Sequence, residues 1–314
     1  MTTQPRFAER RDEPVFARLA IIGAGLIGSS IAHAAKELNL AGRIIIYDRS
    51  ETVRARAREI GLGHEIAEMS ADAVRDADHV ILCVPVGACG EVAGVIAGHL
   101  KQGAILSDVG SVKASVVEAM AKYLPEGVHL VPAHPVAGTE NSGPDAGFSS
   151  LFLNRWCILT PPDGTDASAI ARTRQFWEGM GAIVEEMGAQ HHDLVLGITS
   201  HLPHLIAYTI VGTAEDLEAV TQSEVIKFSA GGFRDFTRIA ASDPTMWRDV
   251  FLHNKDAVLE MLGRFSEDLS LLTRAIRFGD GETLHKHFTR TRAIRRGIIA
   301  LGQEKPETEK LRKS

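Results

Sequence analysis

Leu19-Ala20-Ile21-Ile22-Gly23-Ala24-Gly25-Leu26-Ile27-Gly28 reads as a buried strand, a tight glycine turn and the opening of a helix. Gly23 permits the turn, Gly25 lets backbone approach a pyrophosphate, and Gly28 lets the helix pack closely on the strand. Leu26 and Ile27 lie at the helix N-terminus, whose unpaired N–H groups and partial positive charge suit phosphates. Glycines alone would serve any tight turn. The strand before them, the helix after them and Asp48, at the end of Ile44-Ile45-Ile46-Tyr47, together point to a dinucleotide. The Asp48 carboxylate can accept hydrogen bonds from an adenosine ribose and repels the extra phosphate of NADP, so NAD is the expected cofactor. Arg49 is the counter-signal, because a guanidinium there can hold a 2′-phosphate.

Outward from this stretch, short Ile/Val/Leu runs alternate with helical stretches, the pattern of a parallel sheet covered by helices. The strands expected are 19–23, 43–47, 79–84, 104–108, 129–133, 155–160 and 182–186, nearly continuous apolar runs as in strands buried on both faces. This half reads as doubly wound α/β. Val84 and Pro85, Asp108, Ser111 and His134 all follow such strands and fall on the carboxyl edge, where ligands of these folds bind. After Gly188 helical periodicity takes over, in 191–213, 214–228, 244–277 and 281–301. The expected organisation is therefore a cofactor domain over 1–188, with 1–17 flexible, an all-helical domain over 189–302, and a flexible charged tail over 303–314.

The composition suits two soluble domains: 314 residues, 45% hydrophobic and 24% charged. A formal charge of −6 without a basic stripe argues against nucleic acid. Cys83, Cys89 and Cys157 form an odd set without CxxC spacing, which speaks against a disulfide framework or a zinc site and fits a reducing cytoplasm. The polar N-terminus has no apolar signal region, and no uninterrupted apolar run of spanning length is found, so no membrane association is expected.

Three groups carry candidate chemistry. His134, in Ala133-His134-Pro135-Val136-Ala137-Gly138-Thr139-Glu140, lies among Pro and Gly, reads as irregular backbone and belongs to no core-packing stripe. Ser111 precedes a helix near Val112-Lys113 and reads as its N-cap, a role compatible with reaching a substrate. In Thr199-Ser200-His201-Leu202-Pro203-His204 the proline interrupts a long helix. His201 and His204 share a face there without a third ligand, so one is expected on an anionic substrate and no metal is expected. In Gly231-Gly232-Phe233-Arg234-Asp235-Phe236-Thr237-Arg238, followed by Trp247, Arg238 either pairs with Asp235 or presents its fork to a carboxylate.

These stretches, with Asp108-Val109-Gly110-Ser111-Val112-Lys113 and Ser200-His201-Leu202-Pro203-His204, resemble the prephenate dehydrogenase family, which includes arogenate and cyclohexadienyl dehydrogenases. The resemblance covers roughly 18–300. It implies a Rossmann-like NAD(P) domain followed by a helical domain that forms a homodimer. It also implies oxidative decarboxylation of a cyclohexadienol, prephenate giving 4-hydroxyphenylpyruvate or arogenate giving tyrosine. By the resemblance, His134 serves the ring hydroxyl with Ser111 beside it. His204 and Arg238 lie around the carboxylates, Trp247 and Gly231 at the pocket wall, and Glu140 at the entrance with Thr139 next to it. No chorismate mutase segment or regulatory domain is matched, so feedback by tyrosine would act at the active site. Two other readings remain: a nucleotide-binding sensor without turnover, and a 3-hydroxy acid dehydrogenase using Lys227 or Lys255.

Overall fold

The computed structural model describes residues 9–139, 141–221 and 231–300. Glu140, Lys227, the end of the helix expected over 214–228 and the tail 303–314 lie outside the described residues. The described residues divide into two compact units, one within Arg6–Val258 and one beginning at Leu259.

The first unit is built on a six-stranded parallel sheet. Its strands are β1 (Phe16–Ile22), β2 (Ala41–Tyr47), β3 (Glu65–Ile66), β4 (His79–Leu82), β5 (Ile105–Asp108) and β6 (His129–Leu130), in the order β3-β2-β1-β4-β5-β6. Order reverses beside β1, the crevice where such sheets bind ligands at their carboxyl ends. Side chains alternate between two cores: Leu19, Ile21, Ile44, Ile46 and Ile81 enter one, and Ala20, Ile22, Ile45, Val80 and Leu82 the other. Helices α1 (Leu26–Glu37), α2 (Glu51–Glu59), α3 (Ser70–Val74), α4 (Cys89–Ile96) and α5 (Ala114–Ala121) connect the strands. The chain is thus a doubly wound α/β fold followed by helices, as the apolar runs imply.

Three expectations need correction. The run expected as one strand over 129–133 is split. Val131 still bonds Leu106 O through its N–H at 2.9 Å, but Pro132 has no N–H and the ladder cannot continue. The chain leaves the sheet and forms β7 (Ala133–Pro135), antiparallel to β8 (Trp156–Leu159), which pairs in parallel with β9 (Ile183–Glu186) in a separate three-stranded sheet. The runs 155–160 and 182–186 are therefore strands of a second sheet, with α6 (Ala167–Gly179) between them. Next, His134 is not on irregular backbone; it is the middle residue of β7, opposite Ile158. Finally, residues near the start of the described chain are tied down: Arg11 N–H bonds Leu38 O at 3.0 Å, Val15 N–H bonds Leu40 O at 3.0 Å, and Phe16 is fully buried. Val15-Phe16 extends the apolar run of β1, which gives those residues a place in the core.

After β7 the chain returns across α1. Gly147 has no room for a side chain there, since a Cβ would lie 2.5 Å from Ser29 Cβ. Phe148 N–H bonds Ser30 Oγ at 3.1 Å, and Arg56 pairs with Asp145 at 2.6 Å.

Helices then dominate: α7 (Ala189–Leu196), a wide π-type turn (Gly197–His201), α8 (Leu202–Thr221), α9 (Gly231–Thr237), a 3-10 turn (Arg238–Ala241), α10 (Pro244–His253) and α11 (Lys255–Arg277). Pro203 does not interrupt the helix; the wide turn before it accommodates a residue without an N–H. Trp247 and Val250 of α10 join the second core of the sheet. By length and composition alone the helix Ala189–Asp216 could cross a membrane, yet His192, Asp193 and His201 on it are buried among protein partners. In the second unit α11 ends at a turn in which Gly279 has φ of +69°, followed by α12 (Gly281–Ala300).

Candidate active site

The glycine turn forms a cradle. Gly23 has φ of +105°, and a Cβ there would lie 2.3 Å from Cys83 O. At Gly28 a Cβ would lie 2.0 Å from Gly23 O, whereas nothing stands within 4 Å on the open side of Gly25. No side chain caps α1 after Gly25 and its first turn, from Leu26 and Ile27 on, carries no acidic residue, so its N–H groups remain available to an anion. Asp48 follows β2 and holds the loop: Oδ2 accepts from Ala24 N at 2.9 Å and Oδ1 from Ser50 N at 2.8 Å. Arg49 is exposed beside it. Val84 packs near Gly23, and Pro85 precedes a 3-10 turn at the end of β4. These residues fit a dinucleotide.

Asp108, expected at the cofactor, is fully buried. Its Oδ2 accepts from Gly110 N at 2.7 Å and from the Lys113 ammonium, which is also fully buried and donates to Ala133 O at 2.9 Å. Burial pushes the Asp108 carboxyl up, opposed by Lys113. The ion pair thus anchors β7 just before His134.

His134 is buried, with Nδ1 2.8 Å from His192 Nε2. His192 Nδ1 in turn lies 2.8 Å from Asp193 Oδ1. Among the described residues nothing bonds to Nε2 of His134. Burial, with help from the neighbouring His192, Lys113 and His201, holds the His134 imidazole well below the usual histidine range, so the ring is neutral near pH 7. A neutral imidazole with an unengaged nitrogen is equipped to take a proton.

Ser111 is not an N-cap. Helix α5 starts at Ala114, and its N-terminal donors go to Asp193 on α7: Oδ1 accepts from Lys113 N at 2.8 Å and Oδ2 from Ala114 N at 2.9 Å. A carboxylate supplied from another element displaces the local hydroxyl. Ser111 is half-buried, with its backbone toward His201.

His201 is buried, and its Nδ1 lies 3.0 Å from Asn254 Nδ2, which also donates to Asp193 O at 2.8 Å. Burial lowers its pKa to about 4, only partly offset by Asp193. His204 is half-buried and donates Nδ1–H to Ser200 O at 2.8 Å. It stacks on Trp247 with ring centroids 3.7 Å apart and planes 24° apart. Burial lowers its pKa, and the Arg238 charge adds to that. Arg238 therefore lies within electrostatic reach of His204, and Asp235 is paired instead with Arg234 at 3.9 Å. Gly231 opens α9. Thr139 is exposed and lines a shallow depression with Asn141, Ser142, Asp145, Ala146 and Phe148.

Sequence reasoning missed Lys113, His192, Asp193 and Asn254. The signal at His191-His192-Asp193 was a polar triple entering the apolar run Leu194-Val195-Leu196. Among the described residues no cluster of three His, Cys, Asp or Glu is arranged to hold a metal ion.

A family model described as "Prephenate dehydrogenase, nucleotide-binding domain" matches residues 31–186, and one described as "Prephenate dehydrogenase, dimerization domain" matches residues 188–290. The chain is 47% identical over 281 residues to a cyclohexadienyl dehydrogenase of Zymomonas mobilis, covering 90% of this chain and 96% of that protein. It is 34% identical over 281 residues to a prephenate dehydrogenase of Bacillus subtilis, covering 89% and 76%. Among solved structures, the prephenate dehydrogenase of A. aeolicus in complex with hydroxyphenyl propionate and NAD+ superposes with a TM-score of 0.83 at 33% identity, covering 90% and 98%.

Proposed function

Since the chain belongs to the prephenate dehydrogenase family, we propose that it catalyses the NAD-dependent oxidative decarboxylation of prephenate to 4-hydroxyphenylpyruvate. The observation that carries this reading is the neutral His134, engaged through Nδ1 and open at Nε2. The glycine cradle Gly23, Gly25 and Gly28 with Asp48 would hold NAD, which would supply the hydride acceptor for the ring carbon that bears the hydroxyl. His134 takes the hydroxyl proton on Nε2 as carbonyl character builds at the ring oxygen. The bond to the ring carboxylate then breaks, CO2 leaves, and its electron pair aromatises the ring. The proton returns from His134 to the resulting phenolate, so no net proton is gained or lost. Ser111 steadies the ring oxygen and Arg238 holds a carboxylate, with Trp247 and Gly231 walling the pocket. His204 lines it beside Trp247 and holds a carboxylate only when its ring is protonated, because its Nδ1–H is spent on Ser200 O. The preference for NAD rests on Asp48, which would repel a 2′-phosphate.

A second substrate, arogenate, is favoured by one feature. His204 spends its Nδ1–H on Ser200 O, so the neutral ring offers a lone pair that suits an ammonium group. The relative named for cyclohexadienyl compounds agrees with a site open to both.

We read residues 1–188 as the cofactor domain and 189–302 as the substrate and dimerisation domain. Homodimer formation is supported by the dimerization-domain match and by Leu269, Ile276, Phe278, Phe288 and Ile294, which are exposed on α11 and α12 and the turn between them. The three free cysteines fit the cytoplasm.

The test is the appearance of NADH absorbance with prephenate or arogenate, each with NAD and with NADP. Turnover is expected with prephenate and NAD. Absence of NADH with either substrate, while NAD still binds, would replace this reading with a sensor that has lost turnover.

A further inference from the structure

We propose that His192 and Asp193 are positioning residues that select the tautomer of His134, fixing Nδ1–H inward and the lone pair of Nε2 toward the substrate hydroxyl. The inference rests on the reading of His134 as the base.

The assignment follows from donors that cannot change role. The backbone N–H groups of Lys113 and Ala114 can only donate, so both oxygens of Asp193 act as acceptors at 2.8 and 2.9 Å. The same Oδ1 lies 2.8 Å from His192 Nδ1, and that nitrogen must therefore carry its proton. A neutral His192 then has a bare Nε2, 2.8 Å from His134 Nδ1. That nitrogen of His134 must donate in turn. A neutral His134 is left with its lone pair on Nε2, the form a general base needs. The two histidines and Asp193 are all buried, so water does not compete for these bonds.

The same carboxylate serves a second purpose. By holding the N-terminus of α5 it fixes the backbone just after Ser111, so one side chain from α7 sets both the base and the segment beside it. The other charged or titratable groups facing the pair are Lys113, neutralised by Asp108, and His201, which is held by Asn254. Asp193 is thus the negative charge left to balance an imidazolium on His134.

The experiment compares the full-length wild type with Asp193→Asn, His192→Leu and His192→Gln, following kcat, KM and the pH profile, with imidazole 15N shifts recorded alongside. In Asp193→Asn the amide can donate to His192 Nδ1 and turn the relay around. Its kcat is expected to fall about 10²- to 10⁴-fold, as wrong-tautomer variants of histidine bases do, with KM for NAD unchanged. The acid limb of kcat/KM should move to lower pH. His192→Gln keeps an oxygen that can accept from His134 Nδ1–H and is expected to retain at least about tenfold more kcat than His192→Leu. A folded Asp193→Asn enzyme with wild-type kcat and acid limb overturns the proposal. If that variant fails to fold, equal kcat in the Gln and Leu variants overturns it. The 15N shifts decide independently of turnover: an Nε2-protonated His134 in the wild type sinks the relay, whereas an inactive wild type with the expected tautomer sinks only the functional reading.

Discussion

The imidazole of His204 lies face to face with the indole of Trp247, ring centroids 3.7 Å apart, while its Nδ1–H is held by Ser200 O. These two contacts leave the ring little freedom to turn, so Nε2 is aimed by the protein before any substrate arrives. Trp247→Leu keeps an apolar side chain but removes the stack, worth about 0.5–1.5 kcal/mol beyond burial. KM for the cyclohexadienol should rise several-fold, more than kcat falls. Steady-state kinetics with an unchanged KM would deny His204 its place in the pocket.

His134→Asn should lower kcat by about two to four orders of magnitude with little change in substrate affinity, as loss of a general base does. In the wild type, kcat/KM should fall as pH drops and the ring is protonated. Because burial holds His134 well below the usual range, that acid limb should lie below pH 6.5. An acid limb at or above the ordinary histidine range would contradict the closed setting of the ring.

Arg238 begins the 3-10 turn after α9, and its charge is felt at His204. Arg238→Gln should cost about 2–5 kcal/mol in substrate binding if the carboxylate it meets is desolvated. The loss should appear in KM with kcat largely retained. Equal loss in both would mean that the charge acts on the transition state and not on the bound substrate.

Acid should destabilise the fold well before the surface carboxylates titrate. His79 is fully buried between Phe16 and Phe176, with Nε2 2.8 Å from Ser107 Oγ. Ser107 gives its own proton to Val131 O at 2.6 Å, so His79 must donate. Burial lowers its pKa to about 3. Between that value and the unfolded one near 6.5, the unfolded chain binds a proton that the native ring refuses. Its contribution to stability is complete above pH 6.5 and is lost as pH falls toward 3, at most about 5 kcal/mol. Urea unfolding at pH 7.5 and 5 should show the drop, and His79→Gln should flatten it. A slope unaffected by that variant would shift the cause to His134, His192 and His201, which are also buried.

The dinucleotide cradle was legible in the sequence because its parts are covalently close: a strand, three glycines and a helix occupy ten consecutive residues, with Asp48 one βα unit on. The separate sheet was not. Pro132 marks the break, but apolar runs such as Arg155–Thr160 look the same whichever sheet they join. The partners of His134 were less legible still. His192 lies 58 residues away in sequence and on a helix that reads as ordinary apolar periodicity. Likewise, the donors at the start of α5 are capped by Asp193, 80 residues away from Lys113. A local reading assigns that task to Ser111, the nearest hydroxyl. Long-range hydrogen bonds leave no periodic trace, so they show only once the chain is folded.

The wide turn at Gly197–His201 links two sets of polar groups on one helical run, His192 and Asp193 before it, and His201, its last residue, with His204 one turn on. Each residue added to a helix advances its phase by about 100°, and a π-type turn is in effect one added residue. The turn therefore acts as an angular offset that points both sets into the same interior. Winding the same residues into a regular α-helix would swing His201 and His204 about a quarter of a circle from their partners, whereas deleting one residue within the turn would restore a regular helix and leave both sets in phase.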